Sequence, residues 1–141
     1  MNLLKFLILS LFLTQFGCFS IMQNKTDNVS EYKYSYYPSG NLEYKSEYKN
    51  GRLNGITRYW DEKENLISMA TYSNGKLHGE SISYFLNGNI KYQINYYYGE
   101  KDGEEKFYYN NGQLKSITKY KQDKIISGTI RWTKTGKLIQ H

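Results

Sequence analysis

The stretch Tyr84–Gly103, YFLNGNIKYQINYYYGEKDG, decides the fold. Everything after residue 30 is a copy of it, shifted by 24. An aromatic stands at Tyr36, Trp60, Tyr84, Tyr108 and Trp132. Four residues later comes Gly40, Gly88, Gly112 or Gly136, with Glu64 as the exception. Two further on is Leu42, Leu66, Ile90, Leu114 or Leu138. Then follow Tyr48, Tyr72, Tyr96 and Tyr120, and after them the pairs Gly51/Gly55, Gly75/Gly79 and Gly99/Gly103. A fixed period between about 20 and 50 residues marks a repeat architecture.

Each copy reads as one β-hairpin. Leu42-Glu43-Tyr44-Lys45-Ser46-Glu47-Tyr48 alternates apolar and polar, as a half-buried strand does. Asn50-Gly51 is the strongest short-range hairpin signal, because a type I′ turn needs φ > 0 at both centres. Arg52-Leu53-Asn54-Gly55 completes that connection, and Ile56 to Trp60 forms the next strand. Short turns such as Leu86-Asn87-Gly88-Asn89 make consecutive strands antiparallel neighbours. The expected fold is therefore all-β, an elongated antiparallel meander of repeated 24-residue hairpins with nine or ten short strands.

Since 24 is even and side chains alternate with period two, equivalent positions keep one parity. Even positions are expected to hold one apolar stripe in every strand. The stripe would include Leu42, Tyr44, Tyr48, Tyr72, Tyr96 and Tyr120, and on the returning strands Ile56, Trp60, Ile82, Tyr84, Tyr108, Ile130 and Trp132. Odd positions carry lysines together with Tyr59, Ile67, Met69, Phe85, Tyr97, Phe107, Tyr109 and Ile117. That odd face reads as a thinner apolar layer or a binding surface. Strand Tyr32–Tyr36 and the last strand, 137–140, are expected at the sheet edges.

Residues 1–20, MNLLKFLILSLFLTQFGCFS, differ in kind. Lys5 precedes an apolar run from Phe6 to Leu13, which suits the core of a secretory signal peptide and is too short to span a bilayer. Thr14-Gln15-Phe16-Gly17-Cys18 resembles a bacterial lipobox, which implies lipidation of Cys18. The alternative is cleavage after Ser20, with Cys18 discarded. The expected organisation is a signal peptide over 1–18, a flexible tether over 19–31 and a repeat domain over 32–141. Its copies lie near 36–59, 60–83, 84–107 and 108–131, with a partial copy at 132–141. The expected location is the cell envelope, lipid-anchored or else soluble after export. The net charge of +6 attracts anionic partners or is a solvated lysine-rich surface.

The segments YFLNGNIKYQINYYYGEKDGE, YYNNGQLKSITKYKQDK and YYPSGNLEYKSEYKNGRLNGI resemble the MORN repeat variant family. The shared elements are the aromatic-x3-Gly-x-Leu start, the Tyr-x2-Gly middle and the x3-Gly end, over about residues 32–138. Bacterial members often carry the label "YwqK-type antitoxin". The resemblance implies an elongated antiparallel sheet that binds protein or lipid and does no catalysis.

No catalytic constellation stands in the sequence. His78 occupies the place of Asn54 and Asp102, where a turn-tolerant polar residue is expected, and His141 ends the chain. Glu104-Glu105 and Asp61-Glu62 are sequence neighbours, so on a strand they face apart. No metal-ligand spacing occurs, no cofactor is implied, and no glycine-rich turn opens a helix to cradle phosphate. The rings follow the buried stripe of an exported chain, which argues against nucleic acid. A protein partner contacted through Tyr59, Phe85, Tyr97, Phe107 and Tyr109 is the leading expectation. The alternatives are anionic lipid or glycan at the membrane surface, and an antitoxin-like or immunity role.

Overall fold

The computed structural model describes residues 30–139. The signal segment, Cys18, His141 and most of the tether lie outside the described residues. All regular structure within them is β. One sheet runs in the order β1-β2-β3-β4-β5-β6-β8-β9-β11-β12, with β7 paired to β6 and β10 to β9. The strands are β1 (Ser30–Tyr36), β2 (Leu42–Lys49), β3 (Arg52–Trp60), β4 (Leu66–Ser73), β5 (Lys76–Tyr84) and β6 (Ile90–Tyr97). They continue as β7 (Glu100–Lys101), β8 (Gly103–Tyr108), β9 (Leu114–Lys121), β10 (Lys124–Ile125), β11 (Ile130–Trp132) and β12 (Leu138–Ile139). Every pairing is antiparallel. The expected meander is thus the fold, with β1 and β12 as its edges. The first strand starts at Ser30, so the end of the expected tether is already sheet.

Two turn chemistries alternate along the two long edges. On one edge the strands meet through two-residue turns, with φ of 53° and 73° at Asn50 and Gly51. Both centres lie in the left-handed region, as a type I′ turn requires. On the other edge each turn closes by a pair of backbone bonds, Gly40 N to Tyr37 O and Tyr37 N to Asn41 O in the first copy, both 2.9 Å. Glu64 takes the glycine's place in the second copy and still adopts φ 64°.

The returning strands start immediately after the Asn-Gly turns, earlier than Ile56. Lys49 pairs with Arg52 and Tyr48 with Leu53, and the next pair is Ser46 with Thr57. Glu47 alone therefore faces Asn54, Gly55 and Ile56, which makes a bulge with two extra residues. Thr71 faces residues 78–80 in the same way. Gly55, Gly79 and Gly103 sit inside these bulges at φ 119°, 104° and 127°, a region open essentially to glycine.

The expected single-parity stripe is corrected. Paired numbers sum to odd values throughout the strand bodies: Ser46 with Thr57, Thr57 with Ala70, Ala70 with Ser81, Ser81 with Ile94. A two-residue turn forces this, and a two-residue bulge preserves it. Partners across an antiparallel ladder share a face, so each returning strand presents its odd positions where the outgoing strand presents its even ones. Tyr48, Tyr72, Tyr96 and Tyr120 do share one face. Ile56, Trp60, Ile82, Tyr84, Tyr108, Ile130 and Trp132 lie on the other, together with Tyr32 and Tyr34. The sheet is one layer with rings on both sides. Its only buried hydrophobic side chains among the described residues are Ile82 and Ile94.

Candidate functional site

Between β2 and β9 the paired rows of one face are built mainly from tyrosine, aliphatic and small hydroxyl side chains, with Glu31 and Lys33 of β1 and Arg131 of β11 at its flanks. Its central row runs Ser46, Thr57, Ala70, Ser81, Ile94, Glu105, Thr118. Small side chains standing between tall rings are shaded from water, and Ser46, Thr57, Ile94, Glu105 and Thr118 are buried. One flanking row carries Tyr44 paired with Tyr59, then Ser68 with Ser83, then Tyr92 with Phe107. The ring centroids are 5.6 Å apart in Tyr44–Tyr59 and 4.8 Å in Tyr92–Phe107. These two aromatic pairs wall a slot floored by the serines. β3 and β6 are three strand spacings apart, about 14 Å between axes. The other flanking row holds Tyr48, Tyr72, Tyr96 and Tyr120, interleaved with Leu53, Leu77, Lys101 and Ile125.

Within the paired rows of this tyrosine face between β2 and β9 the charges are Lys101 and Glu105, and they neutralise each other. Lys101 Nζ stands 2.6 Å from Glu105 Oε1, and the Tyr92 hydroxyl donates to the same oxygen at 3.0 Å. Burial pushes the Glu105 carboxyl up, but the bonds from Lys101 and Tyr92 outweigh it and hold the group below the usual carboxylate range. The same contact raises Lys101. Burial, and then the Glu105 contact, push the Tyr92 phenol far above its ordinary range. The Lys101 ammonium also lies 4.8 Å from the Tyr120 ring. Thr57 Oγ1 is buried with no hydrogen-bond partner.

The opposite face carries Lys45, Arg58, Lys106 and Lys119 among Trp60, Tyr84, Tyr108 and Trp132. Glu104 lies here, 2.9 Å from Lys106 and 3.3 Å from Lys119. Those bonds lower its carboxyl below the ordinary value. Glu104 and Glu105 thus face apart, as neighbours on a strand must.

The five residues expected to meet a partner do not form one surface. Tyr59 and Phe107 belong to the tyrosine face, each 40% exposed. Tyr97 ends β6 on the lysine face, 5.3 Å from the His78 ring. Phe85 and Tyr109 sit in turns. Parity read across the turns placed them together, and the odd-sum register separates them. His78 is not a turn-conformation residue, since Gly79 carries the positive φ. Its Nδ1 accepts from Tyr98 N at 3.4 Å, as Asn54 Oδ1 accepts from Asn74 N at 3.2 Å one copy earlier. Both side chains tie one hairpin to the next.

At the edge holding residues 61–65 and 85–89, a cleft of about 400 Å³ is lined by Asn65, Leu66, Tyr84, Phe85, Leu86, Asn87 and Gly88. Nothing in the spacing of the repeat announced it. Among the described residues no cluster of three His, Cys, Asp or Glu is arranged to hold a metal. No helix among them is long and apolar enough to cross a membrane.

No curated protein and no solved structure matches the chain. The matched family segments each take in a strand, the longer turn and the following strand, and they leave out the β3–β4 hairpin, whose turn holds Asp61 and Glu64. Residues 33–50, 77–96 and 101–122 match the family model described as the MORN repeat variant, so the hairpin unit of this sheet is similar to that repeat.

Proposed function

We propose that this chain is a non-catalytic repeat module that binds a protein partner across its tyrosine face. The observation that carries the reading is that face itself, which is rich in aromatic rings, carries only the Lys101–Glu105 pair in its paired rows between β2 and β9, and has no second layer of described residues over it. Interface cores are enriched in aromatic residues and depleted of charge. The repeat match supports a binding role, since such repeats serve widely as binding modules. Exposed Tyr59 and Phe107, each backed by a second ring, supply rigid contact area at little entropy cost. On the sequence reading the module is exported and held at the envelope through lipidated Cys18. The test is capture from envelope extract with the mature domain and with a Tyr59→Ser/Phe107→Ser variant. The variant should lose proteins that the parent retains. Recovery of the same set by both would contradict the proposal. A toxin among the captured proteins would make the module an immunity protein. Intact mass of the mature chain checks the anchor: diacylation of Cys18 is expected, and a chain starting at Ile21 would refute it.

A second reading is favoured by the lysine face, where Lys45 stands over the exposed Tyr32 and Tyr34 rings and Arg58 follows on the next strand. Anionic lipid or glycan would bind there with affinity that falls as salt rises. Indifference to salt favours the protein contact.

A further inference from the structure

At three of the four steps between successive longer turns, the chain closes the gap with its own side chains. In the first step Tyr37 Oη donates to Trp60 O at 2.8 Å, and Asn41 Nδ2 to Glu62 O at 2.8 Å. In the third, Asn87 and Asn89 both donate to Asn110 O, at 2.7 and 2.9 Å. In the fourth, Tyr109 Oη reaches Trp132 O at 2.9 Å and Asn111 reaches Lys134 O at 3.0 Å. The second step, between residues 61–65 and 85–89, lacks all of these bridges. Asp61 stands where Tyr37, Phe85 and Tyr109 stand, and Lys63 where Asn87 and Asn111 stand. Asn65, the counterpart of Asn41 and Asn89, turns back onto the Asp61 carboxylate at 3.0 and 3.1 Å. The cleft of about 400 Å³ lies at this step, against Leu66, Tyr84, Phe85 and Leu86.

We propose that this cleft receives a tyrosine side chain of a partner polypeptide, presented beside a lysine or arginine. The chain itself shows what fits the equivalent position. At two sister steps the occupant is a phenol whose hydroxyl donates to the carbonyl of the residue before the next turn. The counterpart acceptor here is Tyr84 O. The ring would lie against Leu66 and Phe85, and Leu86, 77% exposed, would cover it. The charge preference comes from the turn Asp61-Glu62-Lys63-Glu64, with three acids against one base in a chain of net charge +6. A basic neighbour of the incoming tyrosine meets that turn. This site lies on a turn edge and does not depend on the tyrosine face.

The test follows the methyl resonances of Leu66 and Leu86 in the mature protein on addition of blocked Lys-Tyr-Lys or Lys-Ala-Lys peptide. Saturable shifts are expected with the tyrosine peptide, and at least tenfold weaker binding with the alanine peptide. Asp61→Tyr should supply the ring from within and abolish the response. Leu86→Ser, at an exposed position, should weaken binding several-fold without touching the fold. Tyr59→Ser/Phe107→Ser should bind the peptide as the parent does, which separates this site from the tyrosine face. Equal shifts with both peptides, no shift with the tyrosine peptide, or undiminished binding by both Asp61→Tyr and Leu86→Ser would overturn the proposal.

Discussion

Thr57 shows how a one-layer sheet constrains single residues. Its hydroxyl is buried without a partner beneath the flanking rings. A buried unsatisfied hydroxyl costs about 1–3 kcal/mol. Thr57→Val keeps the β-branched shape and removes the orphan group, so it should stabilise the protein by about 1 kcal/mol in a urea titration. Glu105 is the opposite case, a buried charge fully engaged by Lys101 and Tyr92. Its carboxyl is lower in the folded state than in the unfolded chain. Its stabilising share is therefore present above about pH 4.3 and is lost as pH falls through the folded value. Lys101 is raised, so its share holds below about pH 10.4 and is lost as pH climbs beyond the folded value. Urea midpoints should be flat between these limits and fall on both sides, with a shallower acid limb in Glu105→Gln. Lys101→Met leaves the carboxylate unpaired and should cost about 2 kcal/mol at pH 7. None of this pairing was legible in the sequence. Adjacent Glu104 and Glu105 predicted opposite faces, but the partner Lys101 is set by the bulge, which puts Tyr96 opposite Lys101.

At the scale of the hairpin, alternation and turn residues made the strands legible. Asn-Gly fixed the two-residue turns, and the period fixed which tyrosines share a face. The bulge was not legible, because Leu53-Asn54-Gly55 reads equally well as loop. Its glycines carry a physical requirement that mutation can separate into two parts. A Cβ on Gly55 would meet the Glu47 side chain, with Glu47 Cβ at 2.8 Å. A Cβ on Gly103 would find nothing closer than Asn95 Cβ at 3.5 Å. Both have positive φ, so Gly103→Ala should cost about 1–3 kcal/mol through the backbone alone. Gly55→Ala should cost more, since Glu47 must also move. Thermal unfolding of the two variants measures the difference, and equal losses would mean that the contact carries no energy. The last copy has Ser127 at this place, and its Oγ accepts from Lys119 N at 3.2 Å. There the returning strand is split into β10 and β11, as that of the preceding copy is split into β7 and β8.

Across the whole molecule the copies add like units of a one-dimensional stack, each touching its neighbours in the sheet. Backbone bonds run from copy to copy along the edge of two-residue turns: Gly75 N to Leu53 O at 2.8 Å, Gly99 N to Leu77 O at 2.7 Å, Asp123 N to Lys101 O at 3.0 Å. On the opposite edge, side chains of the longer turns do the same except at Asp61. The candidate sites follow from this arithmetic. A period of 24 keeps the tyrosine face continuous, and one substituted turn opens a cleft. The sequence displayed the period plainly. It concealed which residues of the returning strands join that face, because that depends on the sum of paired numbers and not on parity alone. The most direct measurement of the central claim is a pair of deletions within the strands. Removing residues 58–81 takes out one whole period and rejoins Thr57 to Ile82 with every downstream face unchanged. Removing residues 58–80 takes out one residue fewer and turns the first rejoined strand over. Circular dichroism and hydrogen exchange should show the first deletion folding cooperatively with somewhat lower stability, and the second losing protection in the sheet. Equal folding of both, or failure of the first alone, would contradict the account.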